Sequence, residues 1–225
     1  MPDAILIFAA GFGTRMGALT ATRPKPLIEV GGKALLDHAL DLTQDVPRVV
    51  VNTHYRAEQI ARHLQGRNVL LSHETPEVLE TGGGLKQALP LLKADPVMTL
   101  NSDAVWAGPN PLDILRAAWD GTRMEALLLC VPKTRAYGHG GPGDFLTDRD
   151  GRASRGPGDI YTGAQILRTG RLQDIDATVF SLREVWKEMI AARRLFTVTY
   201  PGAWCDVGRP EGIALAETLL ERSDV

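Results

Sequence analysis

An α/β fold built on a doubly wound, mostly parallel sheet is the expectation for this 225-residue chain. Three observations carry it. Short apolar runs alternate with helical stripes over residues 4–131, and the links between them are short. The first run ends in a glycine-rich turn, the connection by which such sheets reach a ligand at their strand ends.

The elements follow in order. Residues 4–10 (AILIFAA) are apolar and stop at Gly11, which suits a buried parallel strand better than a helix. Residues 28–30 form a short apolar piece closed by Gly31 and Gly32. Leu35, Leu36, Ala39, Leu40 and Leu42 mark a helical stripe over 33–43, with His38 a packing or surface residue on it. A strand over 46–52, a helix over 56–64 and a strand over 68–73 come next. The LETGGG segment, 79–84, reads as a loop that passes close to something flat or bulky, followed by a helix over 85–92 with free N–H groups at its start. A fourth buried strand, 97–100, runs into Asn101, Ser102 and Asp103. A helix over 111–119 and a strand over 125–131 complete the alternation. The polar excursion 137–144 (YGHGGPGD) and Gly151, Gly156 and Gly158 make the next region too glycine-rich for regular sheet throughout. A helix over 180–191, a strand over 195–200, a turn over 201–208 and a helix over 211–221 close the chain.

No composition shift marks a second unit, so one domain over 1–225 is expected. With 44% apolar and 23% charged residues the chain has the make-up of an ordinary soluble globule. A net charge of −2 offers nothing to nucleic acid or a membrane surface. No apolar run approaches the roughly 18 residues of a membrane span, and the N-terminus lacks the pattern of a secretion signal. Cys130 and Cys205 form no C-x-x-C pair and read as core thiols, which makes a reducing cytoplasm the expected compartment. The five histidines show no zinc-ligand spacing. Up to residue 33, however, four bases (Arg15, Arg23, Lys25, Lys33) face two acids (Asp3, Glu29), an asymmetry that fits a small anionic ligand.

The chemistry begins at the turn, 7–27 (IFAAGFGTRMGALTATRPKPL). Gly11 and Gly13 can take backbone angles closed to other residues and let a ligand approach the N–H groups, which makes an anion cradle. Arg15 and Lys25 add full positive charge beside it, and phosphate is the usual anion that needs both. Pro24 and Pro26 hold Lys25 on a stiff, extended path. The P-loop pattern is absent, and Gly11, Gly13 and Gly17 read G-x-G-x-x-x-G rather than the dinucleotide fingerprint. No ribose-binding acid follows about 20 residues on at a strand end, so a dehydrogenase reading is weak. Asp103, at the carboxyl end of a central strand, is the first candidate ligand for Mg²⁺, with a helix N-cap as the plain alternative.

AAGFGTRM followed by RPKPL resembles the signature of the sugar-phosphate nucleotidyltransferases, which join a nucleoside triphosphate to a sugar 1-phosphate. WCDVG, residues 204–208, matches the second acidic motif of that family. The resemblance implies a nucleotide site of Ala10, Gly11, Gly13, Thr14, Arg15, Lys25, Glu80, Gly84 and Asn101, with a backbone group near Gly84 reading the base. It implies a catalytic set of Arg15, Lys25 and Asp103, with Asp103 and Asp206 sharing Mg²⁺. It places Gly138, Asp144 and Gly163 at sugar-phosphate positions in a lid region of about 133–163; Asp144 is either an acceptor for sugar hydroxyls or a solvated loop acid.

The chain departs from the family pattern twice. Ser102 stands where Gly is usual before the Asp, which raises the question of a strained positive φ or a crowded ribose. The E-K-P lysine that contacts the sugar 1-phosphate in larger relatives is missing, and Arg135, His139 and Arg155 all remain candidates to replace it. Within the family the chain is most similar to compact bacterial members that place a uridylyl group from UTP on N-acetylmuramate 1-phosphate in cell-wall recycling. Mannose 1-phosphate guanylyl transfer, a choline-phosphate cytidylyltransferase-like activity and a catalytically silent nucleotide-binding regulatory domain are the alternatives. Oligomeric state is not legible in the sequence.

Overall fold

The computed structural model describes residues 2–222 and centres on strand β1 (Ala4–Phe8). Successive β1 side chains point to opposite faces: Ile5 and Ile7 enter one apolar core, Ala4 and Leu6 another. After β1 come α1 (Leu35–Asp41), β2 (Arg48–Thr53), α2 (Ala57–His63), β3 (Leu70–His73), α3 (Glu80–Leu92) and β4 (Val97–Asn101). Next are β5 (Ala104–Ala107), α4 (Pro111–Ala118), β6 (Ala126–Val131), β7 (Ala136–Tyr137), β8 (Phe145–Thr147) and β9 (Ala153–Arg155). The last are β10 (Ile160–Leu167), α5 (Leu182–Ala191), β11 (Leu195–Thr199), β12 (Ala203–Asp206) and α6 (Glu211–Glu221).

Seven strands form the main sheet in the order β11–β6–β10–β4–β1–β2–β3. All neighbours are parallel except β10, which runs antiparallel between β4 and β6. Leu36 of α1, Ile60 of α2 and Leu112 and Leu115 of α4 fill one core; Leu85 and Leu92 of α3 and Val185 and Met189 of α5 fill the other. Helices thus cover both faces, and the fold is the expected doubly wound α/β sheet. A third cluster packs Ala216 of α6 on Met16, Ile28, Val30, Cys205 and Val207, bracing the turn after β1. Among the described residues, no helix is long and apolar enough to cross a membrane.

Four local expectations are corrected. The LETGGG stretch is not a loop, because Gly82, Gly83 and Gly84 lie buried in the first turns of α3. A Cβ added to them would run into the Phe180 ring, the Thr178 carbonyl oxygen and Oε1 of Glu74, in that order. Their absent side chains let the helix approach its neighbours, against a helix-propensity cost of about 0.5–1 kcal/mol each. The N–H groups at the helix start are not free either: those of Gly82 and Gly83 donate to the carbonyl of Phe180.

Second, the region is indeed not regular sheet throughout, but it leads into a strand that the sequence did not mark, the eight-residue β10, whose path through Gly163 (φ 86°) carries a register shift against β6. Third, the 201–208 turn contains β12, which pairs with β5 and β7 in a small separate sheet. Fourth, only Pro24 of the P-K-P segment is extended; Lys25–Leu27 forms a single tight turn.

Candidate active site

A cleft of about 310 Å³ opens at the carboxyl ends of β1, β2 and β4, where open parallel sheets bind ligands. Its floor is the turn after β1, with Ala10, Gly11, Gly13, Thr14 and Arg15 all lining it. Gly13 is left-handed (φ 65°), and a Cβ there would come within 2.8 Å of the Lys25 Cβ. Gly11 does not need positive φ; its lack of a side chain leaves the space above it open. Among the described residues, the N–H groups of Gly11, Phe12 and Gly13 meet no acceptor. Three donors and a guanidinium beside an open cleft make a site for a polyanion.

Opposite the turn stand the two aspartates. The Lys25 ammonium, buried at 7% exposure, donates to Oδ2 of Asp103 at 2.6 Å. β12 and β5 pair in a register that sets Asp206 across from Ala104, and the Val207 N–H donates to the Asp103 carbonyl. The small sheet missed in sequence is therefore what brings Asp206 to Asp103. Burial pushes the Asp206 carboxyl up from the usual carboxylate range, and the charge of Asp103 adds to it; Lys25, Arg15 and His139 pull the other way. A Cβ on Gly208 would lie 3.0 Å from both Asp206 carboxylate oxygens and 3.1 Å from Nη2 of Arg15, so all three groups share one corner.

Among the described residues no group of three or more His, Cys, Asp and Glu side chains converges. Two facing carboxylates fit a hard cation whose other ligands are substrate phosphates and water.

Ser102 raises no backbone strain, since its φ is not positive, and its hydroxyl donates to the Phe8 carbonyl at 2.6 Å. The serine ties the end of β4 to the end of β1.

Sequence reasoning missed the far wall of the cleft. Asn52, at the end of β2, accepts from the Ala9 N–H (2.7 Å) and donates to Oε1 of Glu74 (2.7 Å). Glu74 is fully buried, and its second oxygen accepts from the Leu79 N–H. Both line the cleft, and both sit at strand ends, which is the signal that identifies them. Glu80 and Thr81 also line it, Glu80 with a left-handed φ of 58° that stores local strain. Gly84 is one layer behind, against the Glu74 carboxylate.

Phe8, Glu80, Thr81 and Asn101 also border a second compartment of about 530 Å³, reaching under the 133–163 region to Asp144, Arg155, Tyr161, Arg183 and Trp186. Asp144 is not a merely solvated acid, because its Oδ2 accepts from the Tyr161 N–H at 2.9 Å. Gly163 and Gly138 act from behind: a Cβ on the first would strike the Asn101 side chain, on the second the Asp206 carbonyl. Of the candidates to replace the missing lysine, Arg135 donates to the Pro201 carbonyl and His139 lies beside Trp204 and Asp206. Only Arg155 lines the second compartment, together with Arg183, which had no sequence signal.

A polyanion cradle, a buried lysine and a carboxylate pair at the strand ends are the working parts of a nucleotidyltransferase. A model of the MobA-like NTP transferase domain matches residues 5–196. The N-acetylmuramate alpha-1-phosphate uridylyltransferase of Caulobacter vibrioides is 38% identical, with 97% of each chain covered. The mannose-1-phosphate guanylyltransferase catalytic subunit beta of Drosophila melanogaster is 30% identical over 92% of this chain, which spans 59% of that relative. A putative glucose-1-phosphate thymidylyltransferase from Bacillus anthracis superposes with a TM-score of 0.79 at 13% identity, covering 96% of this chain and 94% of its own. The chain belongs to the MobA-like NTP transferase family, among its sugar-1-phosphate nucleotidyltransferases.

Proposed function

We propose that the protein transfers a uridylyl group from UTP to N-acetylmuramate 1-phosphate with release of pyrophosphate, as a Mg²⁺-dependent cytoplasmic enzyme. The observation that carries the reaction is the meeting of Lys25, Asp103, Asp206 and Arg15 at one end of the glycine turn. The choice of base and sugar rests on the Caulobacter relative, matched end to end.

In this reading the N–H groups of Gly11 to Gly13 and Arg15 hold the β- and γ-phosphates, and Lys25 reaches the α-phosphate, aimed by Asp103. Glu80 and Asn101 border the nucleoside, with Gly84 and Glu74 shaping the wall behind. The second compartment takes the sugar under the 133–163 lid, bordered by Asp144 and shaped from behind by Gly138 and Gly163. A phosphate oxygen of the sugar 1-phosphate attacks the α-phosphorus in line; the bond to the bridging oxygen of the β-phosphate breaks, and pyrophosphate leaves. The nucleophile is already an anion, so no general base is needed. What the protein supplies is positioning of two mutually repelling anions and neutralisation of charge on the leaving group. Asp103 and Asp206 are the residues that would hold Mg²⁺, whose chemistry there is further neutralisation of the phosphate oxygens.

Guanylyl transfer to mannose 1-phosphate is the second reading, favoured by the Drosophila relative. A silent regulatory domain has less support, since pure nucleotide binding does not require both carboxylates beside Lys25 and Arg15. Pyrophosphate release separates the three. UTP, GTP, CTP and dTTP are each offered with the 1-phosphates of N-acetylmuramate, N-acetylglucosamine, mannose and glucose. Release with UTP and N-acetylmuramate 1-phosphate supports the proposal, release with GTP and mannose 1-phosphate supports the second reading, and silence from folded, nucleotide-binding protein supports the third.

A further inference from the structure

Among the described residues, the far end of the second compartment holds two guanidinium groups that form no salt bridge. Arg155, on β9, lies over the Phe145 ring (4.4 Å to the centroid) and beside Trp186 (5.3 Å). Arg183 enters from the first turn of α5, whose N-cap is Ser181. Among the described residues neither guanidinium forms an ion pair or donates a hydrogen bond. Asp144, a carboxylate that lines the compartment with them, accepts from the Tyr161 N–H through Oδ2. Loss of water on burial, and then the positive charge of Arg183, both weaken the hold of Arg155 on its proton; the charge of Asp144 opposes this. Two unpaired like charges brought together repel, and a shared anion relieves that repulsion.

The position of the pair says which anion. The phosphate of a sugar 1-phosphate must reach the end marked by Lys25 and Asp103. Neither arginine borders that end; both also line an outer groove that runs away from it past Lys187. A second negative group, on the sugar and remote from its phosphate, is what this end of the compartment receives. Two guanidiniums with free N–H edges, that of Arg155 held over its rings, match a planar carboxylate with paired donors. We infer that Arg155 and Arg183 bind a carboxylate carried by the acceptor sugar, and so select acidic over neutral sugar 1-phosphates. The inference rests on the proposed function only for the presence of a sugar 1-phosphate in the cleft.

The test compares N-acetylmuramate 1-phosphate with N-acetylglucosamine 1-phosphate, which differs in lacking the lactyl carboxylate, using wild type, Arg155→Gln, Arg183→Gln and both lysine variants. The expected result is a loss of kcat/KM at least about tenfold greater for the acidic sugar than for the neutral one in each glutamine variant. Partial recovery is expected in the lysine variants, which keep the charge but not the paired donors. Equal losses on both sugars mean that the arginines hold the phosphate, and no loss means that they hold neither; each overturns the inference. Should wild type use neither sugar with UTP, the proposed function fails by itself. The pair is then tested with the accepted nucleotide and glucuronate 1-phosphate against glucose 1-phosphate, where a wild-type preference for the neutral sugar, unmoved by the substitutions, overturns it.

Discussion

Lys25 and Asp103 meet at 2.6 Å across the cleft, one from the turn after β1 and the other from the end of β4. The contact with Asp103 holds the ammonium in the lining of the cleft, where the reading above needs it. Pre-placement of this kind is what lets a fixed charge act without reorganisation during a reaction. Replacing Lys25 with Met is expected to lower turnover about 10²–10³-fold. Because Asp103 is partly exposed, the stability loss should stay near 1–3 kcal/mol. Steady-state rates and thermal unfolding of one preparation check both.

Asp206 should behave differently. Burial and Asp103 both oppose its charge, so Asp206→Asn removes an unfavourable charge from the folded protein. The expected outcome is unchanged or higher melting temperature with a large fall in turnover and a raised Mg²⁺ requirement. EDTA should stop the wild-type reaction and excess Mg²⁺ restore it. A melting temperature lowered by several degrees would count against the assigned geometry.

Gly84→Ala sets helix propensity against packing. Alanine favours a helix by about 1 kcal/mol, yet here its Cβ would run into the buried Glu74 carboxylate that Asn52 and Leu79 hold. Destabilisation by about 1–3 kcal/mol is expected, the usual range for overpacking. Urea unfolding measures it, and a stabilised variant would refute the packing account.

The cysteines offer a check on burial. Cys130 and Cys205 are 1% and 0% exposed. Burial pushes both thiols up, that of Cys205 to about 12, with Asp206 adding to the effect on Cys205. A raised folded value means that the contribution of this thiol to stability is fully present below its unfolded value near 9.0 and is lost as pH rises through about 12. At pH 8 neither thiol should react with a disulfide reagent until the chain is unfolded.

Much of this was legible in the sequence because strand and helix periods differ. The apolar run of β1 and the leucines of α1 identify their elements without tertiary help. The glycines of α3 misled because propensity argues against them in a helix, and only Phe180, Thr178 and Glu74, each distant in sequence or on another element, explain them. β10 was obscured by Gly163 and by Gln165, a polar residue buried through bonds to Thr99 and Trp186. In the site, the turn and the two aspartates follow from local motifs. Arg183 does not, because a lone arginine on a helix has no signal until folding sets it facing Arg155.

The most direct test of the account follows the phosphate oxygens. Sugar 1-phosphate labelled with ¹⁸O at its three non-bridging oxygens is incubated with UTP, Mg²⁺ and enzyme, and the products are weighed by mass spectrometry. Attack by a sugar-phosphate oxygen on the α-phosphorus predicts a nucleotide sugar that keeps all three labels and pyrophosphate that carries none. Label in the pyrophosphate, or pyrophosphate released without any nucleotide sugar, would contradict it.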